Sequence, residues 1–274
     1  MHDNQGIPLP GDEYVRALAR GLEVLKALNH PGPGQTLTDV AQSTGLTRAS
    51  VRRLLLTLTA TRYVKQEGRR FMLTPKVMEL GYAYLNSQPI TSVAAPYVEQ
   101  LVESVHESCS IAVLDETEIV YVVRVHTHKI MRANLSVGSR LPAPWTSMGR
   151  VLLAGLPDKE LSETISQADK IKFTDHTLMD DEKLYEEIVR VRKQGWCVVD
   201  QELEYGLISI AAPIKSRQGK SVAALNISSR AAPGQRDFMR RELLPQLLQT
   251  AAKISESLYG TYGEYPDDSG HPFG

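Results

Sequence analysis

The 274-residue chain has two cysteines, Cys109 and Cys197, far apart and in no CxxC spacing. That argues against a disulfide framework or a redox pair, and leaves two reduced, buried thiols as the expectation. No stretch approaches the roughly 18 consecutive apolar residues of a membrane span. The opening MHDNQGIPLPGDE has no basic region followed by an apolar core, so it does not read as a signal peptide. Residues 1–12 are expected to form a flexible arm, and the protein is expected in the cytoplasm with no membrane partner. A glycine-rich phosphate loop and a nucleophile elbow are also missing. Net charge is nearly absent as well: 31 basic against 32 acidic side chains, −1 in all.

The distribution of that charge is informative. Residues 13–76 hold 11 Lys and Arg against 4 Asp and Glu, a net of +7, which leaves 20 against 28, a net of −8, for the rest. A basic segment on an acidic remainder is expected when one part of a chain meets a polyanion. Within the segment, Val15, Leu18, Leu22, Leu25 and Leu28 recur at helical spacing and predict a helix over 13–29, capped by Asp12. HPGPG breaks it, a short helix capped by Thr38 and ended by Gly45 follows, and Thr47 then caps a third helix. In that third helix Val51, Leu54, Leu55 and Leu58 form a core stripe, while Ala49, Ser50, Arg52 and Arg53 project from the opposite side. Helix, glycine turn and cation-bearing helix are the layout of a helix-turn-helix, whose second helix enters the major groove. Strands at 63–66 and 71–73, with a turn at Glu67-Gly68, predict a wing whose tip carries Arg69 and Arg70 for phosphates or the minor groove. The expected partner is double-stranded DNA.

From Thr74-Pro75 the pattern predicts a linker helix over 75–89, with an apolar face able to pair two subunits or to pack on its own chain. Residues 90–260 then alternate helices with about six strands, including CSIAVLD, EIVYVVRV, KIMRANLSVG, WCVVDQ, LISIAAPIK and SVAALNISS. This predicts an α+β unit with a mainly antiparallel sheet, closed by a long helix. SRLPAPW reads as irregular, Ser147 as the cap of the helix MGRVLLAGL, and residues 261–274 as a disordered tail.

Candidate chemistry in the second unit is sparse. Ser147 stands in TSMG, where capping is sufficient to explain it. Asp200, Glu202 and Glu204 alternate, and read as a polar strand end or a loop that receives a ligand donor. His126 and His128 have a spacing that can ligate zinc, with His106 or Cys109 to complete a site, yet no further ligand spacing supports it and a solvated strand end is the expectation. No metal or cofactor is therefore expected, and no catalytic constellation is visible. A binding pocket remains: the long loop GSRLPAPWTSMGR runs into a helix N-terminus that favours a small carboxylate. Asn226 and Ser228 share one side of their strand, and Ser209 alternates likewise in LISIAAP.

YVRALARGLEVLKAL, LTRASVRRLLLTL, GSRLPAPWTSMGRVLLAGL, GWCVVDQELEYGLISIAAPI and VAALNISS, in this order from Tyr14 to Tyr259, resemble the IclR family of bacterial transcriptional regulators. YVRALARGL and NLSVGSRLPAPWTSMGRVLLA most resemble its regulators of the β-ketoadipate pathway, which respond to protocatechuate, 4-hydroxybenzoate or related aromatic acids. The resemblance implies a winged helix-turn-helix and a GAF-like effector-binding domain. It also implies a homodimer or dimer of dimers on a promoter, where RNA polymerase is a further candidate partner. It implies that Thr47, Arg48, Ser50, Arg52 and Arg53 face DNA, and that Met148, Gly149, Ser209, Asn226 and Ser228 fall at pocket positions. Trp145 would stack on an aromatic effector or simply close the pocket. Two other readings are a regulator that senses a short keto or hydroxy acid, and a small-molecule enzyme with an accessory nucleic-acid domain.

Overall fold

Apolar residues at three- and four-residue spacing build the first unit: α1 (Arg16–Ala27), α2 (Leu37–Thr44) and α3 (Arg48–Ala60). Val24, Leu28, Val40, Val51, Leu55, Val64 and Phe71 meet in its core. The computed structural model describes residues 14–30, 32–127 and 135–262, and the chain divides between Tyr84 and Leu85 into two units. The first helix begins later than predicted, after Val15, which makes no side-chain cap; Asp12 lies outside the described residues, as do 1–12 as a whole. Thr36, not Thr38, caps α2: its hydroxyl accepts from Asp39 N at 3.3 Å, while Thr36 N donates to the Asp39 carboxylate at 2.8 Å. The reason is backbone geometry, since Thr36 is extended and Thr38 already lies within the helix. Gly45, at φ +66, ends α2, and Thr47 caps α3.

The wing pairs β2 (Val64–Glu67) with β3 (Arg70–Leu73), and the short β1 (Gln35–Thr36) adds to the other side of β3. Glu67 pairs with Arg70, so the turn is Gly68-Arg69 rather than Glu67-Gly68, with Gly68 at φ +58. After a 3-10 turn at Pro75–Val77, α4 (Met78–Ser87) runs across the division between the units.

The second unit has three layers. Its sheet has the order β6-β5-β4-β9-β8-β7, with every neighbouring pair antiparallel: β4 (Ser108–Asp115), β5 (Glu118–Val125), β6 (Arg140–Pro142), β7 (Cys197–Asp200), β8 (Leu207–Lys215) and β9 (Ser221–Arg230). Successive strand side chains alternate between faces. Ile111, Ile210, Leu225 and Ile227 pack with α5 (Pro89–Val105) and α10 (Leu244–Tyr262). On the other face Ala112, Ala211 and Ala224 meet α6 (Ser147–Leu153), beside α7 (Asp158–Gln167) and α8 (Asp181–Gln194). Alanines there let α6 lie close to the sheet, and every residue of that helix is buried.

Several expectations change here. Of the predicted strand 129–138, residues 129–134 lie outside the described residues and 135–138 are not strand. SRLPAPW is not irregular: Arg140–Pro142 pairs with β5, Glu118 opposite Pro142, and Ala143–Trp145 forms a 3-10 turn. The sequence reading did not include α7, of which Leu161 and Ile165 are buried. Gln235–Phe238 (α9) and a π-helical segment, Met239–Leu243, lead into α10, which continues through Tyr262; residues 263–274 lie outside the described residues.

Candidate functional site

In the first unit, Arg48, Arg52 and Arg53 are exposed along α3. Thr47 Oγ1 accepts from Ser50 N at 3.3 Å and donates to Ser50 Oγ at 3.0 Å, so these hydroxyls organise the start of the helix. Ser50 is half-buried on the edge of a groove toward α1, not on the open face with Arg52. Arg69 stands in the wing turn and is exposed. Arg70 donates from one guanidinium nitrogen to Gly34 O at 2.7 Å, which ties β3 to the segment before β1. Arg48, Arg52, Arg53 and Arg69 thus leave a row of cations facing solvent, suited to a polyanion.

In the second unit a cavity of about 430 Å³ opens on the sheet face beneath the start of α6. Antiparallel register assembles its floor: Ser209 lies opposite Ser228, and Ser110 lies opposite both Asn226 and Arg124. Ser147 Oγ is 2.8 Å from Ser209 Oγ, and Asn226 Nδ2 donates to Ser228 Oγ at 3.0 Å. Tyr121, Leu141, Trp145 and Met148 supply apolar wall, and Glu202, Tyr205 and Arg230 stand on the loop side. Burial pushes the Tyr121 phenol up to about 12, so it stays protonated at neutral pH.

Ser147 is not the cap of α6. Thr146 is extended and its hydroxyl accepts from Gly149 N at 3.0 Å, which satisfies a donor that the sequence reading assigned to an anion. Ser147 is thereby free to reach Ser209. Gly149 does not line the cavity; a Cβ there would run into the backbone of Ala143, so its smallness serves packing. Asp200 also lies outside the cavity. It alternates with Val199, which is paired with Ser209 and does line it. Trp145 closes the wall with 2% exposure, donates from Nε1 to Leu178 O at 2.8 Å, and has Phe173 tilted against it at 6.1 Å.

Arg124, Tyr121 and Arg230 were missed by the sequence reading, which did name Glu202 as part of a polar strand end or ligand-receiving loop. Local alternation reveals the polar residues of one strand, but not which residues of distant strands come beside them. Among the described residues no three of His, Cys, Asp and Glu are placed to hold a metal; His126 follows β5, and His128 is outside the described residues. No described helix is long and apolar enough to cross a membrane.

A winged helix-turn-helix and an α+β unit with a ligand-sized cavity are the parts of a DNA-binding transcriptional regulator. Residues 17–68 match the IclR helix-turn-helix domain, and residues 82–256 match the C-terminal domain of bacterial transcriptional regulators of the IclR type. The chain belongs to the IclR family of bacterial transcriptional regulators. It is 41% identical over 249 residues to the Pca regulon regulatory protein of Pseudomonas putida, covering 90% of this chain and 86% of that one. A crystal structure of a transcriptional regulator from Rhodococcus sp. RHA1 is 47% identical, with a TM-score of 0.79, over 90% of this chain and 99% of the other. The inducer-binding domain of the transcription factor PobR from Acinetobacter, a double mutant in complex with 3-hydroxybenzoic acid, is 33% identical with a TM-score of 0.56, over 60% of this chain and 96% of that domain.

Proposed function

We propose that this regulator binds operator DNA in the cytoplasm as a homodimer or dimer of dimers, and controls genes of aromatic-acid catabolism in response to an aromatic carboxylate such as protocatechuate. The observation that carries the effector reading is the polar floor of Ser147, Ser209, Asn226 and Ser228 under a cavity whose walls are apolar. Such a cavity takes a small molecule with a flat apolar body and polar substituents. The likeness to the Pca regulon regulatory protein, and to an inducer-binding domain that holds 3-hydroxybenzoic acid, supports an aromatic acid. Arg48, Arg52, Arg53 and Arg69, with the cap residue Thr47, serve the DNA face, and Ser50 holds the Thr47 hydroxyl in place.

The experiment is a thermal-shift screen of the full chain against protocatechuate, 4-hydroxybenzoate, pyruvate and other short keto and hydroxy acids. A specific effector raises the melting temperature by mass action, worth about 2.7 kcal/mol at a hundred times its Kd. A shift with the aromatic acids is expected. A shift with keto acids alone overturns the aromatic reading.

A further inference from the structure

Among the described residues, Arg124 is the one cation that is half-buried on the wall of this cavity. Its Nε donates to His126 Nε2 at 3.3 Å, one terminal nitrogen donates to Ser110 Oγ at 3.1 Å, and the guanidinium carbon lies 5.4 Å from the Tyr121 ring centre. Ser110 is fully buried. No carboxylate pairs with Arg124 among the described residues. Burial lowers the pKa of its guanidinium, the mark of a charge held partly out of water without a counter-ion. His126 must be unprotonated at Nε2 to accept this bond, and burial and Arg124 both lower its pKa.

Of the other charged groups that line the cavity among the described residues, Glu204 is half-buried on the loop side. Glu202 is paired with Arg150, and Arg230 is exposed, so water solvates its charge. On the next strand but one from Arg124, Asn226 is 3% exposed, and its Oδ1 has no hydrogen-bond partner among the described residues. A buried acceptor left open costs free energy until something donates to it. One wall of the cavity therefore offers an uncompensated cation and, two strands away, an unsatisfied acceptor.

We propose that Arg124 anchors an acidic group of the effector, that Ser110 and His126 are its positioning residues, and that Asn226 accepts a hydrogen bond from a hydroxyl of the same ligand. This rests on the effector reading above and adds its polarity: the acid lies toward β5 and the hydroxyl toward β9. Serine and histidine hold the guanidinium from two sides, which leaves the remaining N–H donors for a carboxylate.

The test measures binding of protocatechuate, benzoate and 3,4-dihydroxybenzamide to the full chain by calorimetry. Wild type is expected to prefer protocatechuate over the amide by about 10- to 100-fold, the range for a hydrogen bond to a charged group. Arg124→Met should erase that preference. Ser110→Ala and His126→Phe should shrink it while amide affinity holds, a pattern that general loss of structure does not produce. Asn226→Leu should keep the acid–amide ratio and erase the advantage of protocatechuate over benzoate. Melting of each unliganded variant checks folding; if Arg124→Met does not fold, Arg124→Lys keeps the charge, loses the fork and should narrow the ratio.

An unchanged acid–amide ratio in the Arg124 variant overturns the inference, even though protocatechuate binds. If pyruvate binds in place of aromatic acids and Arg124→Met abolishes it, the aromatic reading falls and the anchor stands. If the wild-type chain binds neither class, both fall.

Discussion

Arg150 on α6 and Glu202 in the loop before β8 form a two-pronged ion pair, at 2.8 and 2.6 Å, with the arginine only 2% exposed. Arg150 Nε also donates to Pro144 O at 2.8 Å, so all three guanidinium nitrogens are used. Glu202 accepts in addition from Leu178 N at 3.1 Å, and its carbonyl accepts from Thr177 Oγ1 at 2.7 Å. Through this pair the helix that carries Ser147 is joined to two loops bordering the cavity. Removing one partner strands a buried charge, which costs far more than the pair itself contributes.

Arg150→Met is accordingly expected to destabilise the second unit by about 3–5 kcal/mol. The double variant Arg150→Met with Glu202→Leu should recover most of the loss, because no charge is left unpaired. Urea denaturation of both variants decides the matter. Equal stability of single and double variants would show that the stranded carboxylate finds water.

On the DNA face, Arg52→Ala with Arg53→Ala should weaken binding to duplex DNA and flatten its salt dependence. Each lost phosphate contact removes about 0.9 from the slope of log affinity against log salt, or about 2 for the pair. Fluorescence anisotropy at several salt concentrations gives that slope, and an unaltered slope would remove α3 from the interface.

Gly149→Ala tests whether that glycine serves packing. Its methyl group would meet the backbone of Ala143, and neither element can retreat because both are buried. A loss of about 1–3 kcal/mol is expected from such overpacking. A melting temperature equal to that of wild type would mean that the 3-10 turn yields freely.

Neither thiol should react with a disulfide reagent at pH 8 while the chain is folded. Burial pushes the Cys197 thiol up to about 12 and raises Cys109 as well, so almost no thiolate is present at that pH. Both should titrate promptly in denaturant. Fast reaction of the native protein would show that the sheet opens locally.

What could be read in the sequence was local. The leucine and valine spacing of α3, the glycine stop at Gly45, and the alternation that sets Asn226 and Ser228 on one side depend on neighbours within a turn or a strand. Caps were read nearly correctly but were displaced, from Thr36 to Thr38 and from Thr146 to Ser147. Threonine and serine stand close together at both helix starts, and only backbone dihedrals choose between them. Asp200 was placed in the pocket by its residue type, whereas the register of β7 against β8 turns Val199 inward instead.

By itself, then, the sequence determined the helix-turn-helix with its basic third helix and wing, and the polar side of β9, because charge, capping and periodicity act over a few residues. The tertiary structure alone decided that Arg124 lies beside Ser110 and near Asn226, and that Arg150 meets Glu202. Arg124 and Asn226, like Arg150 and Glu202, are separated by long stretches of chain; only sheet register brings the first pair to one cavity, and only the packing of α6 brings the second within hydrogen-bonding distance.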